Sequence, residues 1–311
     1  MGLSPGSALL GAVRAPLPPI ILAVTFLTVW SSDARAGAWA RSRGEAYAKA
    51  SISYLKAEEM FDDSGELRPP FDPALYARPR YVERGSALYV EYGLFDALTL
   101  LGSLPLKLVD QDAEGLSGAG DLHGEAFGLG DPHLGARLPL HRGRWAAAIE
   151  PDLKIPLRGA PETASSEPAL STGFTDFGAS FCLGASMPRV RGYGQGSIGY
   201  RIRAGRTAEE EYWDFEVGFE PARVLRVRFR YDGVHSERER FGGAAGTDAP
   251  VPGVGEQDFH RIAPTLAVSL GGNNEVSVTW RGVVDGRSTL RSSEWEVGFS
   301  FLGRVVPAPG L

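Results

Sequence analysis

An all-β, closed antiparallel transmembrane β-barrel of about twelve strands is the fold that this sequence predicts, on three observations. Apolar and polar residues alternate with period two in about a dozen segments, which puts every second side chain on one face of a strand. The connections between those segments are alternately short and long, as in barrels with tight turns on one side of a membrane and larger loops on the other. No stretch beyond the N-terminal leader approaches about eighteen uninterrupted apolar residues, so any crossing of a membrane must use strands.

The leader is set aside first. Arg14 is the one charge ahead of an apolar run from Pro16 to Trp30, and Ala34-Arg35-Ala36 then supplies the small-residue pattern of a cleavage point before Gly37. Residues 1–36 therefore read as a cleavable secretory signal and residues 37–311 as a single barrel domain. Net charge is −6, which gives no electrostatic reason to expect nucleic acid as a partner. Cys182 is the lone cysteine, so no intramolecular disulfide can form.

Alternation is clearest from Leu98. There Leu98, Leu100, Leu104, Leu106 and Leu108 share one face, and Thr99, Leu101, Ser103, Pro105 and Lys107 the other. Leu134, Ala136, Leu138 and Leu140 alternate with His133, Gly135 and Arg137. Trp145, Ala147, Ile149 and Leu153 alternate with Ala146, Ala148, Glu150, Asp152 and Lys154. Phe177 to Ala185, Trp213 to Phe219, Leu225 to Tyr231, Ile262 to Leu270, Val276 to Trp280 and Trp295 to Phe301 follow the same rule. Weaker segments near Ala46 to Lys56, Ala87 to Tyr92 and Ser197 to Arg203 bring the count to twelve.

Short turns fall at Gly93 to Asp96, His141 to Arg144, Met187 to Arg191, Pro221 to Arg223 and Gly271 to Asn274. Between them lie longer segments: Glu58 to Pro79, Asp110 to Leu129, Leu157 to Gly173, Ala204 to Glu209, Asp232 to Gln257 and Val284 to Arg291. A soluble sandwich has no reason to alternate its connections in this way. Closure also removes the exposed edges that an open sheet of this size would present.

The stretch Tyr92-Gly93-Leu94-Phe95-Asp96-Ala97-Leu98-Thr99-Leu100, then Leu104-Pro105, then Gly128-Leu129-Gly130-Asp131-Pro132-His133-Leu134-Gly135, resembles the family of outer-membrane proteins named for the meta-pathway of phenol degradation. Pro132 stands where that pattern has an aliphatic residue. A tail from Leu302 to Leu311 follows the last aromatic-rich strand, where barrels of this type end on an aromatic residue. The resemblance implies a channel or transporter in the bacterial outer membrane for small, hydrophobic or aromatic solutes. Its partners would be outer-membrane lipid, a small-molecule solute and the barrel assembly machinery. It carries over no catalytic residue and no cofactor.

No enzyme motif stands in the sequence. Gly128 to Gly135 lacks the Gly-Lys-Ser ending of a phosphate loop and opens a strand. His133 and Asp152 can face each other across a hairpin, but no serine or cysteine nucleophile accompanies them, and a hydrogen bond is the better reading. His123, His141, His235 and His260 show no metal-ligand spacing. The organised feature is charge on the inward faces. With Phe219 paired to Leu225, Glu216 would stand opposite Arg228 and Asp214 opposite Arg230, beside Arg226 and Glu220; Arg281 would meet Glu294 and Glu296. These nine residues are the candidate lumen lining, either as the polarised wall of a solute path or as pairs that merely satisfy one another. The alternative function is a sealed structural or adhesive barrel whose outer loops bind partners.

The leader yields a prediction. The protein recovered from the outer membrane should begin at Gly37, and N-terminal sequencing of a soluble protein that retains its leader would refute the export reading.

Overall fold

The computed structural model describes residues 37–116, 118, 120–157, 168–204, 209–236 and 257–305. The predicted leader and cleavage bond, and the end of the predicted tail, lie outside them. One sheet holds β1 (Glu45–Phe61), β2 (Leu67–Arg68), β3 (Tyr76–Phe95), β4 (Leu98–Gly115), β5 (Leu122–Leu129), β6 (His133–His141), β7 (Trp145–Lys154), β8 (Asp176–Met187), β9 (Gly192–Arg203), β10 (Glu210–Ala222), β11 (Leu225–Ser236), β12 (Asp258–Gly271), β13 (Asn274–Arg287) and β14 (Thr289–Arg304). β2 is a short rung paired only at Met60 and Phe61 of β1. β5 and β6 both pair with β4 and together make one wall strand. Twelve wall strands result, each antiparallel to its neighbours in chain order. β14 closes on β1 from Glu45↔Arg304 to Phe61↔Thr289.

Alternation sets the faces. Leu100, Leu104, Ile198, Val217, Phe229, Leu266 and Trp295 point outward and are exposed, while Thr99, Val109, Ala148, Ala267 and Ser277 point inward and are buried. A chain in lipid must satisfy every backbone donor internally, which closure achieves, and it must show apolar side chains outside, which the parity achieves.

The break between β5 and β6 is a bulge. Leu129 pairs with Leu106 and His133 with Ser103, so Gly130, Asp131 and Pro132 oppose only Leu104 and Pro105. Pro132 has no amide hydrogen for the ladder. A Cβ at Gly130 would come within 3.2 Å of Lys107 Cε and Pro105 Cγ, a tight contact that glycine avoids. The extra residue turns Asp131 into the barrel, where it is buried.

Several predicted boundaries move. β1 runs on to Phe61 and β3 starts at Tyr76, so the first long connection shrinks to residues 62–75; β4 reaches Gly115 and β5 begins at Leu122 inside the predicted second loop. β11 extends to Ser236. β13 and β14 are separated only by Ser288, at φ 50°, where a long segment from Val284 to Arg291 was expected. The strands outrun the apolar belt: outward positions become Arg84, Arg80, Asp110 and Asp112, which pair with one another, so the ladder continues where hydrophobic alternation stops. β14 likewise passes Phe301, and Leu302 to Arg304 pair with β1 instead of forming a tail.

The β10–β11 register also differs. Ala222 pairs with Leu225 and Phe219 with Val227, with an irregularity at Glu220-Pro221 between them. Glu216 therefore stands opposite Arg230, Gly218 opposite Arg228 and Asp214 opposite Asp232, instead of the predicted Glu216–Arg228 and Asp214–Arg230 rungs. The shift is even, so every side chain keeps its predicted face.

Ile198 and Ser197 test the faces on one strand. Ile198→Arg, at an outward mid-strand site, should cost roughly 2–4 kcal/mol. Ser197→Arg, inward and in register with Asp214, should cost much less. Denaturant titration in lipid that found equal losses would overturn the face assignment.

Candidate functional site in the barrel lumen

The inward faces enclose a cavity of ≈ 820 Å³. Five of the nine predicted residues line it: Asp214, Glu216, Arg228, Arg230 and Glu296. Arg226 and Glu220 stand nearer the β10–β11 turn, and Arg281 and Glu294 a step further out along β13 and β14.

Their pairing follows from the observed register. Arg228 donates from Nη2 to Glu275 Oε1 at 2.9 Å, and Arg226 from Nη1 to Glu275 Oε2 at 2.8 Å. Both reach over β12, where Ala267, in register with Arg226 and fully buried, leaves the room. Arg226 Nη2 also donates to Glu220 Oε1 at 2.6 Å, and Glu220 receives Arg191 at 3.0 Å. Arg230 pairs diagonally with Asp214 and lies 3.7 Å from Asp232. Glu216 accepts Tyr193 Oη at 2.5 Å and Gln195 Nε2 at 3.3 Å. The predicted Arg281 cluster forms: Arg281 reaches Glu294 at 3.1 Å and Glu296 at 2.9 Å, and Lys49 joins Glu296 at 2.6 Å. Asp152 accepts Tyr212 Oη at 3.0 Å and His133 lines the same cavity, its register partner being Lys154.

Two further groups bound the cavity. Residues 37–43 leave the wall ahead of β1 and run inside the barrel as a floor strap. Ala38 packs with Ala146, Ala148 and Cys182, and Trp39 lies against them. Arg41 Nε donates to Glu91 Oε2 at 2.6 Å, and its amide to Thr99 Oγ1 at 2.8 Å. Arg137 ties the strap to the wall, meeting Glu91 at 3.2 Å, Glu150 at 2.8 Å and the Trp39 carbonyl at 3.3 Å. Arg41, Glu91 and Arg137 are buried, so each charge is held by partners and not by water.

Toward the long-loop side, residues 168–173 of the β7–β8 connection turn inward. Leu170 is buried with Ala57, Tyr81, Val109 and Ala126. Asp131, turned in by the bulge, accepts Ser171 Oγ at 2.5 Å, the Thr172 amide at 2.9 Å and Thr172 Oγ1 at 3.0 Å. Lys154 donates to Thr172 Oγ1 at 2.7 Å and pairs with Asp176 at 2.5 Å, and Arg203 joins Asp176 to Glu210.

Arg137, Glu150 and Lys154 already stood on polar faces in the sequence, and register alone would have joined Arg137 to Glu150 and Lys154 to Asp176. The strap and the inward loop carry no alternation and gave no signal. Tyrosines complete the lining: Tyr47, Tyr89 and Tyr212, with the Arg201 guanidinium 4.8 Å from the Tyr212 ring centre and Arg41 5.2 Å from that of Tyr47. Among the described residues no group of His, Cys, Asp and Glu side chains is placed to hold a metal ion.

No protein-family model and no curated protein matches the sequence. Solved structures do match the fold. The COG4313 outer membrane channel from Pseudomonas putida F1 superposes with a TM-score of 0.64 at 11% identity, over 88% of this chain and 100% of that one. The KdgM porin gives 0.43 at 8% identity over 81% of this chain and 98% of its own, and the CymD monoaromatic hydrocarbon channel 0.39 at 6% over 85% and 89%. At such identity the likeness to the first of these speaks for architecture: this chain has the closed twelve-stranded fold of an outer-membrane barrel.

Proposed function

We propose that the protein is a channel of the bacterial outer membrane, set in place by the barrel assembly machinery, which passes small solutes through its lumen. The observation that carries the reading is the cavity of ≈ 820 Å³, lined by charge pairs and tyrosine hydroxyls inside a wall whose outer face is apolar. A sealed structural core would be close-packed, without a void of that size. Among the described residues, the buried apolar clusters lie around Ala38 and around Leu170.

The lining favours a small aromatic solute with a polar group. Aromatic rings and guanidinium planes offer stacking and cation–π contact, each worth about 0.5–1.5 kcal/mol. The flanking carboxylates and hydroxyls can orient a phenol or carboxylate substituent. The resemblance to the phenol meta-pathway family points the same way. Carboxylates and guanidinium groups alternate around the wall, so the lining has no single sign of charge to reject one class of ion.

The floor strap and inward loop favour a second reading, in which the barrel rests sealed. Single-channel recording in planar bilayers separates the two. The intact protein should give small steps, and removal of residues 37–43 should enlarge them. Arg228→Glu should move selectivity toward cations while the barrel stays folded, and Glu275→Arg in the same chain should reverse the shift, since Glu275 is the partner of Arg228. Absence of current from both the intact and the strap-deleted barrel would overturn the channel.

A further inference from the structure

Gly37, the first residue of the expected mature chain, lies in the floor strap in a setting that packing does not explain. Gly37 and Ala38 both line the lumen cavity, so the chain runs inward from Gly44 and directs its N-terminal end into the cavity. Gly37 has φ +88°, and a Cβ there would fall 1.7 Å from Gln195 Oε1 and 2.2 Å from Gln195 Cδ. Glycine takes this φ without strain, and any other residue would also have to displace the Gln195 amide. Standard bond lengths place the Gly37 nitrogen within about 4 Å of that oxygen.

Gln195 Oε1 is buried and accepts no hydrogen bond from the described residues. A buried acceptor left so is costly, which calls for a donor. The rest of the side chain is fixed, because Nε2 donates to Glu216 Oε1, the same oxygen that receives Tyr193 Oη. Both donors address Oε1, so neither meets Glu216 Oε2, and Glu216 lines the same cavity as Gly37. An unmet acceptor thus stands beside a backbone nitrogen, with a carboxylate hydrogen-bonded to the same side chain, and a peptide nitrogen there brings one hydrogen and no charge.

We infer that Gln195 Oε1 and the Glu216 carboxylate form a binding site for the chain's own α-ammonium group, freed on Gly37 by signal cleavage. Hydrolysis of the Ala36–Gly37 bond leaves a carboxylate on Ala36 and an amine on Gly37, which takes up a proton near neutral pH. The ammonium has three donors and a positive charge, which match the unmet oxygen and the carboxylate. Processing then does more than release the protein: it creates the group that fastens the strap over the floor of the lumen. The seat favours glycine at position 37 whatever the peptidase tolerates. The inference rests on cleavage after Ala36 and is independent of whether the lumen conducts.

The protein exported and purified from membranes should have Gly37 as its first residue by intact mass. Its amines are then labelled with an amine-selective acylating reagent at neutral pH, and peptides are quantified over time. A free α-amine, with a pKa near 7.7–8.0 against about 10.4 for lysine, would normally outpace Lys56. In the native barrel Gly37 should instead react more slowly than the exposed Lys56. Glu216→Gln, nearly isosteric, and Gln195→Leu should each speed Gly37 labelling about tenfold, as expected for loss of one charge-assisted contact. Heat-modifiable migration on gels checks that each variant is folded. A first residue other than Gly37, a Gly37 rate above that of Lys56 in the native barrel, or unchanged rates in the folded Glu216→Gln variant would overturn the inference. Missing conductance would overturn the channel and leave this result standing.

Discussion

Backbone pairing without an end is the constraint on which everything else depends. In hydrocarbon each unpaired N–H or C=O costs several kcal/mol, so the first and last strands must find each other. β1 and β14 do so over nearly their whole length. The ladder then uses up the wall's backbone groups, and whatever lies inside must be held by side chains. That is why the strap hangs on Arg41, Arg137 and Glu91, and the inward loop on Asp131 and Lys154.

Inside the wall, size matters as much as charge. Three arginines at alternate positions on β11 would repel one another if nothing intervened. They are separated by partners on different strands: Arg226 and Arg228 share Glu275, and Arg230 takes Asp214. Small residues on the strands between make that reach possible, Ala267 on β12 above all. Such pairs add little net stability, because desolvation offsets their attraction, but removing one partner leaves a charge stranded. The lumen is thus more sensitive to single substitutions than to paired ones.

Much of this could be read before any coordinates. Parity is a property of the residue list, and Leu98 to Leu108 or Trp295 to Phe301 kept the predicted faces. The inward candidates, Arg226 to Arg230 and Arg281 with Glu294 and Glu296, kept theirs, because a register error of two residues does not change a face. The partners were less legible. Whether Phe219 meets Leu225 or Val227 depends on how the chain turns around Pro221, and that is a matter of local hydrogen bonding and not of hydrophobicity. Strand ends were least legible where outward positions turned from Leu and Val to Arg and Asp, since the ladder persists in water and the apolar signal does not. The strap was invisible for a deeper reason: residues 37–43 have no periodicity, and their place is fixed by contacts with Glu91, Thr99 and Gln195 far along the chain.

Strand length differs around the wall, with twenty residues in β3 and eighteen in β4 but ten in β7 and twelve in β8. At about 3.3 Å per residue and a tilt near 40°, β7 rises about 25 Å, the height of the apolar band, while β3 rises roughly twice as far. The strand wall is therefore cut obliquely, tall on one flank and flush with the bilayer on the other. The tall flank is a two-faced sheet standing in water, and it is laced there by Arg78–Glu114, Arg80–Asp112 and the Arg84–Asp110 pair. Set in a bilayer, such a wall would present a parapet on one side and a sill on the other.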